Sequence, residues 1–397
     1  MSSNLKTKKI CMLAMSTYPN DPRIRREAEA LRDEGIKVDI ICMYKENQSK
    51  IEDLGGITAY RIFKYSRQEK IIKYIVQSIL FMVIAFFKLQ VLSIKHKYQV
   101  IQAHNLPDYL IFIGIIQKLF GTKLIIDIHD PSVELFEEKW HGKEKKVLLK
   151  ILKLLEMFSL KVSDHIITVT ETCKKNLVKR SNPEKKITLV LNTADENIFK
   201  FNEKRDFKII NKGAKLLYHG TIANRFGIHN AIKAIKLVQK DIPGTVLDIY
   251  GSYENLYRRE LDDLIQELDV GNLVNLNGII RLDNIPDLIK MHDIGIVPHL
   301  DTKFNNLGLP TKAFEYVFCG IPVISTKFDE LSDILDNTCI TYVNSGTAEG
   351  FAAAIKKLCL DPVLRKSQTE LAYKKVQKIS GKVMKDRYVE LIKNLSF

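Results

Sequence analysis

Short runs of apolar, β-branched residues alternate with longer stretches in which apolar positions recur every three or four residues, along nearly the whole chain. The runs read as strands and the stretches as amphipathic helices, and their alternation predicts parallel sheets covered by helices. In the first half the expected strands are "ICMLAM", "KVDIICMY", "ITAYRIF", "YQVIQAH", "KLIIDIH", "HIITVT" and "ITLVLN". In the second half they are "KLLYHG", "VLDIYG", "VNLNG", "DIGIVPH", "PVIST" and "CITYV". Two α/β sheets of similar size result. The polar, aperiodic stretch 197–215 between them reads as a linker. A chain of 397 residues also exceeds what one core usually serves. The expected division is a first domain over 1–200, a second over 201–380, and a basic terminal helix over 381–397 that packs back on the first.

One segment departs from the alternation: "KIIKYIVQSILFMVIAFFKLQVLSIKHK", residues 70–97. Its uninterrupted apolar run, Ile79 to Phe87, falls short of the ~20 residues a membrane span needs. Lys73, Gln77 and Lys88 fall near one helical face and lysines flank both ends. A helix lying on a membrane surface fits this pattern, and so does a buried core helix.

Composition narrows the picture. With 46% hydrophobic and 27% charged residues the chain is ordinarily globular. Its formal net charge of +14 favours an anionic partner. No aromatic-interleaved basic stripe, zinc-finger spacing or RNA-binding signature is present, which turns the expectation from nucleic acid toward phosphates or lipid. The six cysteines are scattered without a Cys-x-x-Cys pair and read as reduced core residues of a cytosolic protein. The apolar run Ile10–Met15 is too short for a secretory signal core and reads as a first strand.

In open parallel sheets ligands lie beyond the carboxyl ends of the strands, near helix N-termini. The loop after the first strand, "STYPNDPRIRREAEALRDEG", places Asn20 and Asp21 before a helix, with Asp21 suited to cap it and Pro22 to its first position. Arg23, Arg25 and Arg26 crowd the first turn, where positive charge opposes the helix dipole unless an anion or carboxylates are near. Pairing with Glu27 or Glu29 is the plainer alternative. In "IIDIHD" His129 stands at the carboxyl end of the strand between Asp127 and Asp130, and His104, Asn105 and Asp108 of "VIQAHNLPD" fall in the same layer. No cluster has metal-ligand spacing along the chain.

In the second half "GLPTKAFEYVFCGIPVIST" predicts a helix opening at Pro310, stopped by Gly320, and followed by a strand. Thr311 and Lys312 at its start suit phosphate, and Glu315 one turn on suits a ribose diol. An exposed Lys312–Glu315 pair is the alternative. "KLLYHGTIANRFGIHNAIKAI" adds Gly220 and Gly227, which permit close backbone approach, and Arg225, whose fork suits a diphosphate. Arg225 and Lys312 would converge on one anion.

These segments, with "VLNTADENIF", in this order and spacing, resemble the retaining glycosyltransferases of family 4 over almost the whole chain. The resemblance implies the GT-B architecture, two Rossmann-like parallel-sheet domains facing across a cleft. It implies a nucleotide-diphospho-sugar donor bound by the second domain: Arg225 and Lys312 on the diphosphate, Thr311 at the same helix start, Glu315 on the ribose, Gly220 and Thr221 at the approach. The loop "NGIIRLDN" would lie near the base. His129 would face the transferred sugar, and Asn20, Asp21, Arg23 and Arg26 would border the acceptor. No metal or other cofactor is expected, and no nucleic acid. Leu307 stands where the family often has the first glutamate of Glu-x7-Glu, Pro310 where a glycine is usual, and Thr221 where an arginine is common. The expected function is sugar transfer to a lipid-linked saccharide in surface polysaccharide or glycolipid synthesis, at the cytoplasmic, inner face of the membrane. A nucleotide-sugar epimerase and a non-catalytic nucleotide-sugar-binding subunit are the rivals.

Overall fold

Every expected strand forms in the computed structural model, which describes residues 8–66, 71–139, 145–181, 186–302, 304–344 and 346–396. The first sheet comprises β1 (Lys9–Thr17), β2 (Lys37–Tyr44), β3 (Ile51–Asp53), β4 (Ile57–Lys64), β5 (Val100–His104), β6 (Lys123–Ile128), β7 (His165–Thr168) and β8 (Ile187–Leu189). Its order is β3-β4-β2-β1-β5-β6-β7-β8, so the chain winds outward in both directions from β1 and reverses between β1 and β5. All pairings are parallel except β3 with β4. The unanticipated β3 is an exposed edge of sequence Ile-Glu-Asp, whose position is set by backbone pairing rather than by an apolar pattern.

The second sheet comprises β9 (Lys215–His219), β10 (Val246–Tyr250), β11 (Val274–Asn277), β12 (Ile294–Val297), β13 (Val323–Thr326) and β14 (Thr341–Val343). Its order, β11-β10-β9-β12-β13-β14, is all parallel and reverses between β9 and β12. Both sheets thus have the doubly wound topology, and each reversal opens a crevice at the carboxyl ends of two neighbouring strands.

The chain forms two compact units, 1–191 with 384–397, and 192–383. Ala194 and Phe199 already belong to the second unit's core, so that unit starts before the linker ends. Residues from 384 onward complete the first unit. Tyr388 Oη donates 2.6 Å to the buried Gln102 Oε1, and Lys385 and Lys393 reach Asp33 and Glu34.

In the first unit the helix Pro22–Asp33 forms for the reasons legible in its sequence. The Asp21 carboxylate accepts the Arg23 N–H at 3.1 Å, Pro22 opens the helix, and Ile24, Ala28 and Leu31 are buried. The 25-residue helix Ile71–Lys95 packs Phe81, Ala85 and Leu89 on the strands through Cys11, Leu13 and Ile41. Lys70, at the start of the expected segment, lies outside the described residues. The helix is longer than its central apolar run suggests, and by length and composition it could cross a membrane. The anticipated polar face is turned mostly inward: Gln77 is buried and the Lys88 ammonium lies 4.5 Å over the Tyr60 ring. Its outward face is apolar, with Phe87 64% and Ile94 85% exposed. All six cysteines are buried and free.

Candidate functional site

In the second unit the site assembles where β9 and β12 part. Gly220 leaves β9 at φ +125, donating its N–H to Tyr250 O at 2.9 Å. Beside it, a Cβ on Gly251 would stand 1.6 Å from the Gly220 carbonyl oxygen, so the two strand exits stack too closely for a side chain there. The chain then runs through the exposed Thr221 and a short turn, Asn224–Phe226, to Gly227 at φ +61. A Cβ on Gly227 would meet Pro298 O at 2.1 Å. This close approach clamps the turn onto the exit of β12, where Leu300 N–H and Asn305 Nδ2 both donate to Arg225 O, at 3.0 and 2.8 Å. The Arg225 guanidinium lies 4.7 Å from the Phe226 ring and 5.7 Å from that of Phe304, with Nε buried and without a partner.

Pro310 precedes the helix Thr311–Phe318 without capping it by a side chain, and Thr311 is exposed at its start. Lys312 is 9% exposed and the Glu315 side chain 16%. The exposed ion pair is therefore not what this segment forms. Lys312 Nζ instead stands 3.0 Å from His299 Nε2, 4.8 Å from the Tyr218 ring centre and 5.2 Å from that of Phe226. A Cβ on Gly220 would lie 3.3 Å from Lys312 Cε, so glycine leaves the ammonium room. Glu315 Oε2 is 3.2 Å from His219 Nε2 but out of line for a hydrogen bond. Among the described residues neither Arg225 nor Lys312 has a carboxylate within ion-pair distance. Two positive groups from separate strand exits thus lie about one aromatic ring, that of Phe226, close enough for Arg225 to act electrostatically on Lys312.

Burial sets the protonation here. It pulls the Lys312 ammonium down to about 8, with Glu315 opposing and Arg225 assisting. It lifts the Glu315 carboxyl to about 7 against the pull of Lys312. Burial and then Lys312 lower His219 to about 3, and His299 is held well below its ordinary value by burial, Lys312 and Arg225. Both imidazoles are neutral near pH 7, so His299 accepts a hydrogen bond from Lys312. Leu307 is buried in the turn Asn305–Leu307 and supplies no carboxylate.

The first unit gathers a second cluster at the carboxyl ends of β1, β5 and β6. One oxygen of the buried Asp127 lies 2.8 Å from His129 Nε2 and 3.1 Å from His104 Nδ1, off the line of hydrogen bonds, and the two imidazoles stack 5.8 Å apart. These three residues come close enough to share an ion. Spacing along the chain does not reveal this group, because His104 and Asp127 stand on neighbouring strands. Burial favours the charged form of Asp127 least, yet the two histidines hold its carboxyl well below the usual range. Burial lowers His129 despite Asp127, and its Nδ1 is buried without a partner. Asn105 fixes the loop, its Oδ1 accepting the His129 N–H at 2.9 Å and its Nδ2 donating to Asp108 at 3.1 Å.

Asp21, Arg23 and Asp130 border this cluster. Arg23 reaches Asp21 at 3.2 Å and Asp130 at 3.4 Å, so part of the crowded positive charge is paired, as is Arg25 with Glu29 at 2.9 Å. Asn20 Nδ2 donates to Thr17 Oγ1, and the half-buried Arg26 acts electrostatically on the buried Glu27. Sequence reasoning passed over His219 and His299. Each is a lone histidine, and only its place at a strand exit marked it.

Two family models match: "Glycosyltransferase Family 4" over 23–197 and "Glycosyl transferases group 1" over 199–375. The chain belongs to the GT-B glycosyltransferases of the family 4 type. A chitobiosyldiphosphodolichol beta-mannosyltransferase of Debaryomyces hansenii is 24% identical over 83% of this chain and 74% of its own. An uncharacterised glycosyltransferase of Methanocaldococcus jannaschii is 24% identical over 81% of this chain and 82% of its own. The fold is shared with sucrose-phosphate synthase of Thermosynechococcus elongatus, at TM-score 0.78 and 17% identity, covering 98% of this chain and 99% of that one. It is shared also with HepE of Anabaena, solved with UDP and glucose, at TM-score 0.70 and 14% identity, covering 98% and 100%.

Proposed function

We propose that the protein transfers a hexose, with retention, from a nucleotide-diphospho-sugar to a hydroxyl of a lipid-linked saccharide, in surface polysaccharide or glycolipid synthesis at the cytoplasmic face of the membrane. The observation that carries this reading is the pair Arg225 and Lys312, two cations at the β9–β12 reversal that lie about the Phe226 ring without a carboxylate on either. A diphosphate there relieves their mutual repulsion, and both stabilise the charge that grows on the leaving phosphate as the sugar's C1–O bond breaks. The acceptor hydroxyl forms the new C1–O bond on the same face and passes its proton to the departing phosphate oxygen. These cations do the work a divalent ion does elsewhere, so the reading includes no metal. Glu315 accepts from the ribose hydroxyls. In the first unit His129 is the candidate for contact with the reacting sugar, and Asn20, Asp21, Arg23 and Arg26 for the acceptor. The lipid-linked acceptor is supported by the dolichol-linked substrate in the name of the Debaryomyces relative.

The test is thermal stabilisation by UDP, GDP, ADP and their sugar conjugates, followed by transfer with the nucleotide that binds. One nucleotide is expected to raise the midpoint of the parent and to do so far less in Glu315→Ala. No shift with any nucleotide removes the donor site. The configuration at C1 of the first product reads retention or inversion.

The titrations predict a pH profile for donor affinity. Glu315 must be ionised to accept two hydroxyls, so affinity falls as pH drops below about 7, by up to roughly tenfold per unit. Lys312 must be protonated to meet the diphosphate, so affinity also falls above about 8. Calorimetry across pH with a nucleotide-sugar checks this, and Glu315→Gln is expected to abolish the acid limb alone.

A further inference from the structure

Three segments of the first unit present outward faces unlike a surface made for water. On the helix Ile71–Lys95 the exposed residues Ile72, Val76, Ile79, Val83 and Phe87 recur every three or four positions. The helix Lys145–Val162 repeats the pattern with exposed Val147, Ile151, Leu154 and Phe158. Between them, the segment Asp108–Leu119 leads to the exposed pair Leu119 and Phe120. All three lie in one layer on one face of the sheet, since Phe81, Leu110 and Leu160 share a core. They are also bonded side by side. Ser78 Oγ is 2.7 Å from Tyr109 Oη, Gln117 Nε2 donates to Gln90 Oε1 at 2.8 Å, and Lys118 Nζ donates to Val162 O at 2.7 Å.

Charge names the occupant. Residues 71–97 carry four lysines and no carboxylate, and residues 145–162 carry five lysines and one carboxylate, Glu156. Glu156 is buried against Arg180 at 2.6 Å, so it does not reach this surface. Lys73, Lys146, Lys150 and Lys153 are exposed. An apolar face whose two long helices expose lysines and no carboxylate matches a surface that is apolar inside and anionic outside, which is a leaflet containing acidic lipid. The long helix cannot be surrounded by lipid while Phe81, Ala85 and Leu89 remain packed on the strands, so it lies on the leaflet rather than across it.

We infer that the three segments form one platform that docks on anionic lipid, rather than a single helix doing so. The inference extends the membrane part of the proposed function and does not depend on the donor site. It also gives the acceptor a direction of approach. Ser78 on the docked helix touches Tyr109, its neighbour Asp108 accepts from Asn105, and Asn105 holds the His129 backbone. A saccharide carried on a lipid in that leaflet starts a few side chains from the His129 cluster.

Flotation of the full chain with phosphatidylcholine vesicles, with and without phosphatidylglycerol, tests the platform. The parent is expected to float with the anionic vesicles and to lose much of that binding in high salt. Val83→Glu with Phe87→Glu, and separately Ile151→Glu with Leu154→Glu, are each expected to abolish it. Lys150→Ala with Lys153→Ala is expected to weaken partitioning by roughly thirtyfold. Unchanged flotation of the Ile151/Leu154 variant overturns the three-segment platform. A parent that floats with no vesicle overturns lipid altogether, and a dimer on sedimentation that Phe87→Glu dissociates would assign the face to a second copy. Melting curves of the same variants without ligand show whether they are folded, and their nucleotide-induced shifts are read beside them. Those shifts separate failure here from failure of the donor site.

Discussion

Lys312→Met is expected to lower kcat/KM for sugar transfer by roughly 10²–10³-fold while leaving the protein as stable as before or more so. The loss follows from removing one preorganised charge from the leaving group, a change that costs about 3–4 kcal/mol of transition-state stabilisation where a single such donor is deleted. The stability half follows from the lowered ammonium. A base with a depressed pKa in the folded state penalises folding wherever it is still protonated in both states, and the penalty is relieved as pH rises from about 8 toward its ordinary value of 10.5. Near pH 7 the penalty is fully present, on the order of 3 kcal/mol for a group this buried. Methionine keeps the stem and removes the charge. Steady-state kinetics and a melting curve on the same sample decide the matter: a rate within a few-fold of the parent would take Lys312 off the diphosphate, and a collapsed melting temperature would make it structural.

The second large effect is expected at Gly227. Alanine there must adopt φ +61 and place its methyl 2.1 Å from a backbone oxygen of Pro298, and neither strain can be relieved by rotating a side chain. The left-handed conformation costs roughly 1–2 kcal/mol, and separating the two loops breaks the bonds that Leu300 and Asn305 make to Arg225 O. A total of about 3 kcal/mol lowers the melting temperature of a unit this size by roughly 6–12 °C. Because the movement carries Arg225 away from Lys312, nucleotide stabilisation should fall with it. Gly271→Ala, at a glycine whose added methyl meets nothing, is the control expected to change neither. Gly227→Ala melting with the parent would show that the loop is not clamped as described.

The sheets were legible because a strand buried on both faces writes itself as an apolar run, whereas the spatial order of the strands and the place of each reversal come from the structure. The edge strand β3 was not, because three exposed residues paired only through their backbone leave no apolar trace. At the proposed donor site Arg225, Lys312 and Glu315 could be picked out by their place after strands, but not whether Lys312 and Glu315 paired in solvent or were buried apart. That depends on Tyr218, Phe226 and His299 closing around the Lys312 ammonium, which is tertiary. His104, Asp127 and His129 came from two segments whose register alone brings them together. For the long helix, periodicity separated two faces but not which one the protein would keep. Water normally claims the polar face. Here Gln77 and Ser78 turn inward, and the apolar stripe is left outside.

The first unit is written in two pieces of chain, with the whole of the second unit inserted between Leu191 and Met384. On the ribosome its eight strands therefore emerge long before the residues that finish it. Until Tyr388 arrives, Gln102 lacks a donor at Oε1 beside the buried Glu27 and Asp127 carboxyls. The inserted unit, continuous in sequence, can fold in that interval. A cut at the apparent midpoint of the chain would thus release one self-sufficient half and one that still needs a short helix from its sibling, supplied in trans.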